Sequence, residues 1–122
     1  MAAKATILYV DDEDALRTLV KNQLATEGYV VETADDGDTA MEMLEKSSYG
    51  VILLDVRMPR VSGVEVLKFI RERKINTRVI MLTAVDDLSV AIESVKLGAN
   101  DYLTKPYDLV SLITAIERVT AR

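Results

Sequence analysis

Three carboxylates, a hydroxyl and an ammonium group follow short apolar segments of this chain. Asp11 and Asp12 come directly after the first segment, Asp55 after a second, Thr83 after a third, and Lys105-Pro106 after a fourth. Carboxylate oxygens are preferred ligands of Mg²⁺, which is commonly bound by one or two carboxylates together with a phosphate. A lysine ammonium offers a compact positive charge to phosphate oxygens. If the segments lie side by side, these residues predict a phosphoryl site that binds Mg²⁺ or, alternatively, Mn²⁺.

The composition limits the chemistry that this site can use. The 122 residues predict one globular domain over residues 1–122. The chain has no cysteine and no histidine, which excludes disulfides, a Ser-His-Asp triad and ordinary zinc sites. Covalent catalysis would therefore use a carboxylate, a hydroxyl or a lysine. The net charge of −5 argues against direct binding to nucleic acid, whose phosphates attract basic surfaces.

The sequence also predicts a protein without membrane association. Its apolar segments are much shorter than the roughly 20 residues of a membrane-spanning helix. Residues 1–5 lack the apolar core of a signal peptide. These two features predict a cytoplasmic location.

Strand-like apolar segments alternate with amphipathic helical patterns along the whole chain. The five predicted strands cover residues 7–10, 29–33, 51–54, 79–82 and 102–103. Such alternation predicts right-handed βαβ crossovers and a parallel sheet with helices on both faces. The first, third and fourth segments are continuously apolar and suit central strands, whereas the second and fifth suit edges. The fold class is therefore α/β, a flavodoxin-like doubly wound sheet of five parallel strands in the order 2-1-3-4-5.

The helical patterns predict which residues face the core and where helices end. Gly28 and Gly98 are plausible helix ends, Ser62 with Glu65 resembles a capping box, and Asp108 is a candidate helix cap. The stripe of the first helix, predicted over residues 13–26, consists of Leu16, Leu19, Val20 and Leu24. The stripe of the fourth helix consists of Leu88, Ala91, Ile92 and Val95.

The predicted strand order brings the acidic residues together. In doubly wound sheets, ligands bind beyond the carboxyl ends of the strands at the switch point, here between strands 1 and 3. Asp11, Asp12 and Asp55 fall at this point. Each fragment alone is typical of a solvated turn or a helix start. Their coincidence at successive strand ends favours a phosphoryl site, with Asp55 on a central strand as the candidate acceptor.

The whole chain resembles the receiver domain of two-component response regulators. The matching segments are Val10-Asp11-Asp12-Glu13, Leu54-Asp55-Val56-Arg57-Met58-Pro59, Gly63, Leu82-Thr83-Ala84 and Asp101-Tyr102-Leu103-Thr104-Lys105-Pro106-Tyr107. The resemblance implies a phospho-accepting signalling switch rather than an enzyme, although the domain would assist its own phosphorylation and dephosphorylation. Asp55 would receive the phosphoryl group from the phosphohistidine of a sensor histidine kinase or a phosphotransfer protein.

The resemblance also implies a role for the other residues at the strand ends. Asp11 and Asp12 would bind Mg²⁺ together with Asp55 and the backbone carbonyl of Arg57. Lys105 would contact the phosphoryl group. Its peptide bond to Pro106 would be cis, an isomer almost confined to bonds that precede proline.

A switch and an output surface are implied as well. The Thr83 hydroxyl would move toward the phosphoryl group while the Tyr102 ring turns inward. The face formed by helix 4, strand 5 and helix 5 would bind a downstream effector domain or protein. Ser111 and Ala115 occupy positions where winged-helix members commonly carry charged residues for pairing, so that particular dimer is doubtful. Whether phosphorylation drives another homodimer stays open.

Two other functions are alternatives to the switch. A Mg²⁺-dependent phosphohydrolase with an aspartate nucleophile typically carries a second aspartate two residues later, where this chain has Arg57. A receiver that binds partners without being phosphorylated would not need the complete set of site residues. The sequence does not identify the kinase, the output target or the phosphoryl lifetime. It also leaves open a stand-alone protein or a domain of a longer one.

Two positions that border the predicted cleft are less generic than the rest of the match. Arg57 lies two residues after Asp55, Glu13 follows Asp11 and Asp12, and we hypothesise that they can form an ion pair over the phosphoryl site that hinders the attacking water. Two independent solvated side chains are the alternative, because exposed ion pairs contribute only about 0–1 kcal/mol.

Overall fold

Five parallel strands form one sheet in the order β2-β1-β3-β4-β5, which confirms the predicted topology. The computed structural model describes residues 4–121. The strands are β1 (Thr6–Val10), β2 (Val30–Ala34), β3 (Val51–Asp55), β4 (Arg78–Ala84) and β5 (Asp101–Lys105). The helices are α1 (Asp14–Thr26), α2 (Gly37–Lys46), α3 (Gly63–Glu72), α4 (Leu88–Lys96) and α5 (Leu109–Thr120). A 3₁₀ turn over Val85–Asp87 precedes α4.

The predicted domain, residues 1–122, and the amino-terminal segment of residues 1–5 both extend beyond the residues that the structure describes. Residues 1–3 and Arg122 lie outside the described part of the chain. Within residues 4–121, no helix combines the length and the apolar character that crossing a bilayer requires.

The central strands are buried because helices cover both faces of the sheet. Successive strand residues point to opposite faces, so each central strand supplies two cores. Leu8 and Ile52 pack with residues of α2 and α3 on one face, whereas Ile7 and Leu53 pack with residues of α1 and α5 on the other. This two-sided burial explains why β1, β3 and β4 read as continuous apolar segments.

Local hydrogen bonds fix the helix ends that position the loops of the sheet edge. The Asp36 carboxylate accepts from the backbone N–H of Thr39 at the start of α2. Ser62 Oγ accepts from the backbone N–H of Glu65 at 3.2 Å, as predicted. Asp108 caps α5 in the same way by accepting from the N–H of Ser111 at 2.7 Å. Gly28 and Gly98 follow α1 and α4 with φ of +95° and +113°, which confirms both predicted helix ends.

Of the four residues in the predicted apolar stripe of α4, only Ala91 is buried, and the prediction is wrong for the other three. Leu88, Ile92 and Val95 are exposed, at 39%, 48% and 45% of their maximal surface. The buried residues of α4 are the small Ala91 and Ser94. Ser94 can be buried because its hydroxyl donates to the carbonyl of Val90 within the helix, at 2.8 Å. Small residues allow α4 to pack closely on β4 and β5. Val90 is partly buried against the core, whereas Leu88, Ile92 and Val95 are exposed.

Two smaller expectations also differ from the structure. Leu19 was predicted to share the buried face of α1 but is half exposed. The fifth strand is longer than the predicted residues 102–103 and spans Asp101–Lys105. It is extended by pairing with β4, from Ile80 opposite Asp101 to Ala84 opposite Lys105. Because β5 pairs with β4, the strand extends over polar residues that lack an apolar strand pattern.

Candidate functional site

The sheet gathers the three predicted aspartates at one edge. Asp11 and Asp12 follow β1, and Asp55 ends the neighbouring strand β3. Each of the three offers a carboxylate oxygen, and these oxygens lie within 4.8 Å of one another. Lys105, at the end of β5, places its Nζ 3.3 Å from Asp11 Oδ2 and 3.4 Å from Asp55 Oδ2. The structure therefore brings the carboxylates and the ammonium group together.

Burial and charge make Asp55 unlike an ordinary surface aspartate. Asp55 is only 6% exposed, and this burial raises the pKa of its carboxyl group to about 6. Lys105 opposes this rise by favouring the carboxylate, and Asp11 adds to it. Burial alone would lower the pKa of Lys105, but the two carboxylates outweigh it and raise that pKa. The cluster thus holds three acidic groups against one ammonium.

This donor set fits a hard divalent cation. The three side chains offer only oxygen ligands, and Asp12 is exposed while Asp11 and Asp55 are buried. Crowded carboxylates repel one another, and a divalent cation would remove that cost. An acidic cluster with one open side leaves positions for water or a phosphate on a bound ion.

Two tyrosines that the sequence reasoning missed border the cluster. The Tyr9 hydroxyl lies 3.2 Å from Asp11 Oδ2, to which it donates, and 2.9 Å from the hydroxyl of Tyr107. Burial, followed by the contact with Tyr107, raises the pKa of Tyr9 well above its ordinary value, so the hydroxyl keeps its proton. A signal was available in the sequence: residues two apart on a strand share a face, which places Tyr9 beside Asp11.

Thr83 lies at the predicted strand end, and its hydroxyl is engaged with backbone carbonyls. Thr83 is buried, and its Oγ1 donates to the carbonyl oxygens of Ala84 and Asp87, at 3.2 and 3.3 Å. Tyr102 on β5 is partly buried and packs against the core that α2 and α3 cover. The peptide bond between Lys105 and Pro106 is cis.

The expected ion pair between Arg57 and Glu13 is wrong. Arg57 instead donates from Nε and Nη2 to the two carboxylate oxygens of Asp87, with Nη2 at 2.5 Å from Oδ1. These hydrogen bonds, donated by Arg57 and accepted by Asp87, raise the pKa of Arg57 and lower the pKa of Asp87. The paired geometry matches the planar fork of a guanidinium, which favours a carboxylate that can accept two bonds. Such a partner, 30 residues away, became available only through folding.

We expect Arg57→Ala to reduce stability at neutral pH, because Asp87 is almost fully buried and would lose its cation. A carboxyl whose pKa is lowered by folding stabilises the protein above its unfolded pKa and loses that contribution as the pH falls. The deficit should therefore shrink below about pH 4. Urea unfolding across this pH range measures it, with Glu13→Ala as the control. Equal effects of the two substitutions would contradict this assignment.

A small cavity joins these groups. Its volume is about 180 Å³, and it is lined by Asp55, Val56, Arg57, Ala84, Asp87 and Lys105. The candidate acceptor, the ammonium group and the Arg57–Asp87 pair therefore share one cavity. A group added to Asp55 would enter a space bounded by two cationic side chains.

Comparisons with known proteins agree with this geometry. The family model described as "Response regulator receiver domain" matches residues 7–117. The chain is 42% identical over 101 residues to the alkaline phosphatase synthesis transcriptional regulatory protein PhoP of Bacillus subtilis, which covers 83% of this chain and 42% of that protein. It is 36% identical over 118 residues to the regulatory protein AtoC of Escherichia coli, covering 97% of this chain and 26% of AtoC. The chain thus spans less than half the length of these two relatives.

Solved structures show the same fold. The chemotaxis protein CheY4 of Vibrio cholerae superposes with a TM-score of 0.89 at 35% identity, covering 96% of this chain and 99% of CheY4. The receiver domain of the Francisella response regulator 1452 has a TM-score of 0.89 at 33% identity, covering 96% and 97% of the two chains. The family match, these relatives and the acidic edge of the sheet lead to one conclusion. The chain belongs to the response regulator receiver domain family and is a phospho-accepting signalling switch.

Proposed function

We propose that Asp55 is the residue that accepts the phosphoryl group, from the phosphohistidine of a sensor histidine kinase or a phosphotransfer protein. One observation carries this proposal: Asp55 ends a central strand where two further carboxylates and the Lys105 ammonium converge. Its Oδ2, 3.4 Å from Lys105 Nζ, is a candidate nucleophile at phosphorus. The bond from phosphorus to the histidine nitrogen would break as the bond to Asp55 forms, and the imidazole would leave.

The remaining residues of the cluster would bind and orient rather than react. Asp11, Asp12 and Asp55, with the backbone carbonyl of Arg57, would hold Mg²⁺, or Mn²⁺ in its place. When bound, the ion would neutralise charge on the phosphoryl oxygens. Lys105 already lies against the acceptor and would contact one of these oxygens. Phosphoryl transfer depends mainly on positioning and charge neutralisation, and this cluster offers both.

The signal would leave the site through Thr83 and Tyr102. The Thr83 hydroxyl would exchange its two carbonyl partners for a phosphoryl oxygen, and the partly buried Tyr102 ring would turn further inward. The face formed by α4, β5 and α5 would then bind an effector domain or protein. Its exposed apolar residues, among them Ile92 and Val110, support this use because such side chains favour protein contacts. We place the phosphoryl transfer and the binding of the effector in the cytoplasm. The domain itself would make no direct contact with nucleic acid.

The most direct test is incubation of the protein with Mg²⁺ and acetyl phosphate, followed by intact-mass measurement. We expect addition of one phosphoryl group that depends on Mg²⁺ and is lost when EDTA is added first. Borohydride reduction converts an aspartyl phosphate to homoserine, so peptide mapping should find homoserine at position 55. Homoserine at position 11 or 12 would overturn the proposed acceptor.

The same incubation separates the two other functions. Sustained hydrolysis of unrelated phosphate esters would indicate a phosphohydrolase, and no addition at all would indicate a receiver that works without phosphorylation. The geometry counts against the phosphohydrolase, because the position two residues after Asp55 carries Arg57, which is engaged with Asp87. A general acid at this position would need a proton to donate, and a guanidinium does not give one up in proteins.

A further inference from the structure

A chain of hydrogen bonds leads from the loop before α5 to the acidic cluster. The hydroxyls of Tyr107 and Tyr9 lie 2.9 Å apart, and Tyr9 continues to Asp11 Oδ2 at 3.2 Å. A carboxylate only accepts hydrogen bonds, so the single proton of Tyr9 is directed to Asp11. Tyr107 must then donate its own proton to Tyr9. The direction of the whole chain is thereby set toward Asp11.

Three donors form hydrogen bonds with the Asp11 side chain, and both of its carboxylate oxygens accept at least one of them. Lys105 Nζ shares Oδ2 with the Tyr9 hydroxyl, and the backbone N–H of Glu13 donates to Oδ1 at 2.9 Å. Asp11 has no exposed surface, so these donors replace the water that a carboxylate would otherwise bind. Tyr9 also has no exposed surface, and its ring is held in the core between β1, α1 and α5. The buried ring of Tyr9 therefore fixes the position of the hydroxyl group that donates a hydrogen bond to Asp11.

We propose that Tyr9 is a positioning residue for the metal site, which orients Asp11 through its hydroxyl and is itself oriented by Tyr107. This inference rests on the proposed function, in which Asp11 is a metal ligand. Partners that hydrogen-bond a ligating side chain fix its orientation, and their loss typically weakens metal binding about 10–100-fold. Tyr107 belongs to the loop that joins β5, which carries Lys105, to α5. The hydroxyl pair therefore ties that loop to β1, the strand that Asp11 follows.

Tyr9→Phe removes the hydroxyl and keeps the ring, so we expect its Mg²⁺ dissociation constant to rise about tenfold. Isothermal titration calorimetry on the unphosphorylated protein measures this directly. Tyr29→Phe is the matched control, because Tyr29 is buried in the same core but immediately precedes β2, at the opposite edge of the sheet from the cluster. Urea unfolding in EDTA, run on each variant, reports any general loss of stability. A purely structural role for Tyr9 would lower that stability and leave Mg²⁺ affinity unchanged.

A double-mutant cycle tests the order of the chain. Tyr107→Phe alone should weaken Mg²⁺ binding less than Tyr9→Phe, because it acts only through the Tyr9 hydroxyl. In the Tyr9→Phe background, Tyr107→Phe should change Mg²⁺ affinity no further. Additive effects would overturn the proposed order. Since Tyr107→Phe retains the Tyr9 ring and hydroxyl, the loop contribution can be measured even if Tyr9→Phe folds poorly.

The outcomes also separate this inference from the proposed function. If the parent protein binds Mg²⁺ and takes up a phosphoryl group while Tyr9→Phe binds Mg²⁺ equally well, only the role of Tyr9 is overturned. If the parent protein binds no Mg²⁺, the proposed function and this inference both fall. Loss of binding in Asp12→Ala, which removes an exposed carboxylate of the cluster, verifies that the titration reports on this site.

Discussion

Asp55→Asn should leave the protein unable to take up a phosphoryl group and, in buffer without Mg²⁺, should make it more stable at neutral pH. Asparagine has nearly the shape of aspartate but offers an amide in place of the nucleophilic carboxylate. Function and stability should therefore change in opposite directions from one substitution. This combination is expected where a charged group is kept buried for its chemistry.

The size and sign of the stability change follow from the pKa of Asp55. Burial raises this pKa to about 6 in the folded protein, whereas an aspartate in the unfolded chain has a pKa of about 3.9. Between these values the folded state binds more protons, so stability falls as the pH rises. Above about pH 7 this decrease in the free energy of unfolding is complete and amounts to about 3 kcal/mol. The neutral amide avoids this loss, which already includes the favourable effect of Lys105 on the carboxylate, so we expect Asp55→Asn to gain up to about 3 kcal/mol of stability.

Urea unfolding in EDTA at pH 7.5 and at pH 4 measures this expectation. The variant should be the more stable protein at pH 7.5, and the difference should nearly vanish at pH 4, where Asp55 holds its proton. Asp35→Asn, an identical change at an exposed aspartate, is the control and should alter little. An Asp55→Asn variant that is less stable at pH 7.5, or that still gains a phosphoryl group, would refute the assigned role.

Gly63→Ala should destabilise the protein by about 3 kcal/mol, because the added methyl group has no space. A Cβ at Gly63 would lie 2.2 Å from the backbone oxygen of Asp55 and 3.0 Å from the Cα of Val56. Backbone atoms at the end of a central strand cannot rotate aside as a flexible side chain could. The Gly63 N–H also donates to the carbonyl of Val56 at 2.9 Å, which holds the start of α3 against β3.

The same substitution should disturb Asp55, the proposed acceptor. Relief of the overlap requires either α3 or the end of β3 to move, and β3 carries Asp55. Urea unfolding gives the free-energy loss, and the rate of phosphoryl uptake from acetyl phosphate gives the effect on the site. Ser62→Ala is the matched control at the adjacent position and should cost only about 1 kcal/mol through the lost helix cap. Equal losses for both variants would show that the close approach of Gly63 is unimportant.

The sheet and the helix ends could be predicted because their causes are local. Continuous apolar segments marked the central strands, and Gly28 and Asp108 supplied helix signals that act within a few residues. The face of α4 could not be predicted in this way. Leu88, Ile92 and Val95 have the spacing of a buried stripe, but the helix packs through Ala91 and Ser94. Periodicity shows that large apolar residues share a face, and it does not show whether a neighbour covers that face.

The contacts around the cluster required the tertiary structure for a similar reason. Arg57 was expected to pair with Glu13 because both follow strand ends, but the carboxylate that meets its guanidinium is Asp87. The Tyr9 and Tyr107 hydroxyls are 98 residues apart in the chain and meet only across the folded sheet. Such partners depend on side-chain directions set by several elements at once, and strand-end spacing does not encode them.

The sequence by itself determined which groups could do chemistry and at which edge of the sheet they would lie. Asp11, Asp12, Asp55 and Lys105 are each fixed to a strand end, and parallel strands necessarily bring their carboxyl ends to one edge. The tertiary structure decided how those groups are held: the burial that raises the pKa of Asp55, and the tyrosine that fixes Asp11. Burial and hydrogen-bond partners are properties of the packed chain, because they arise only when distant segments exclude water from the same space.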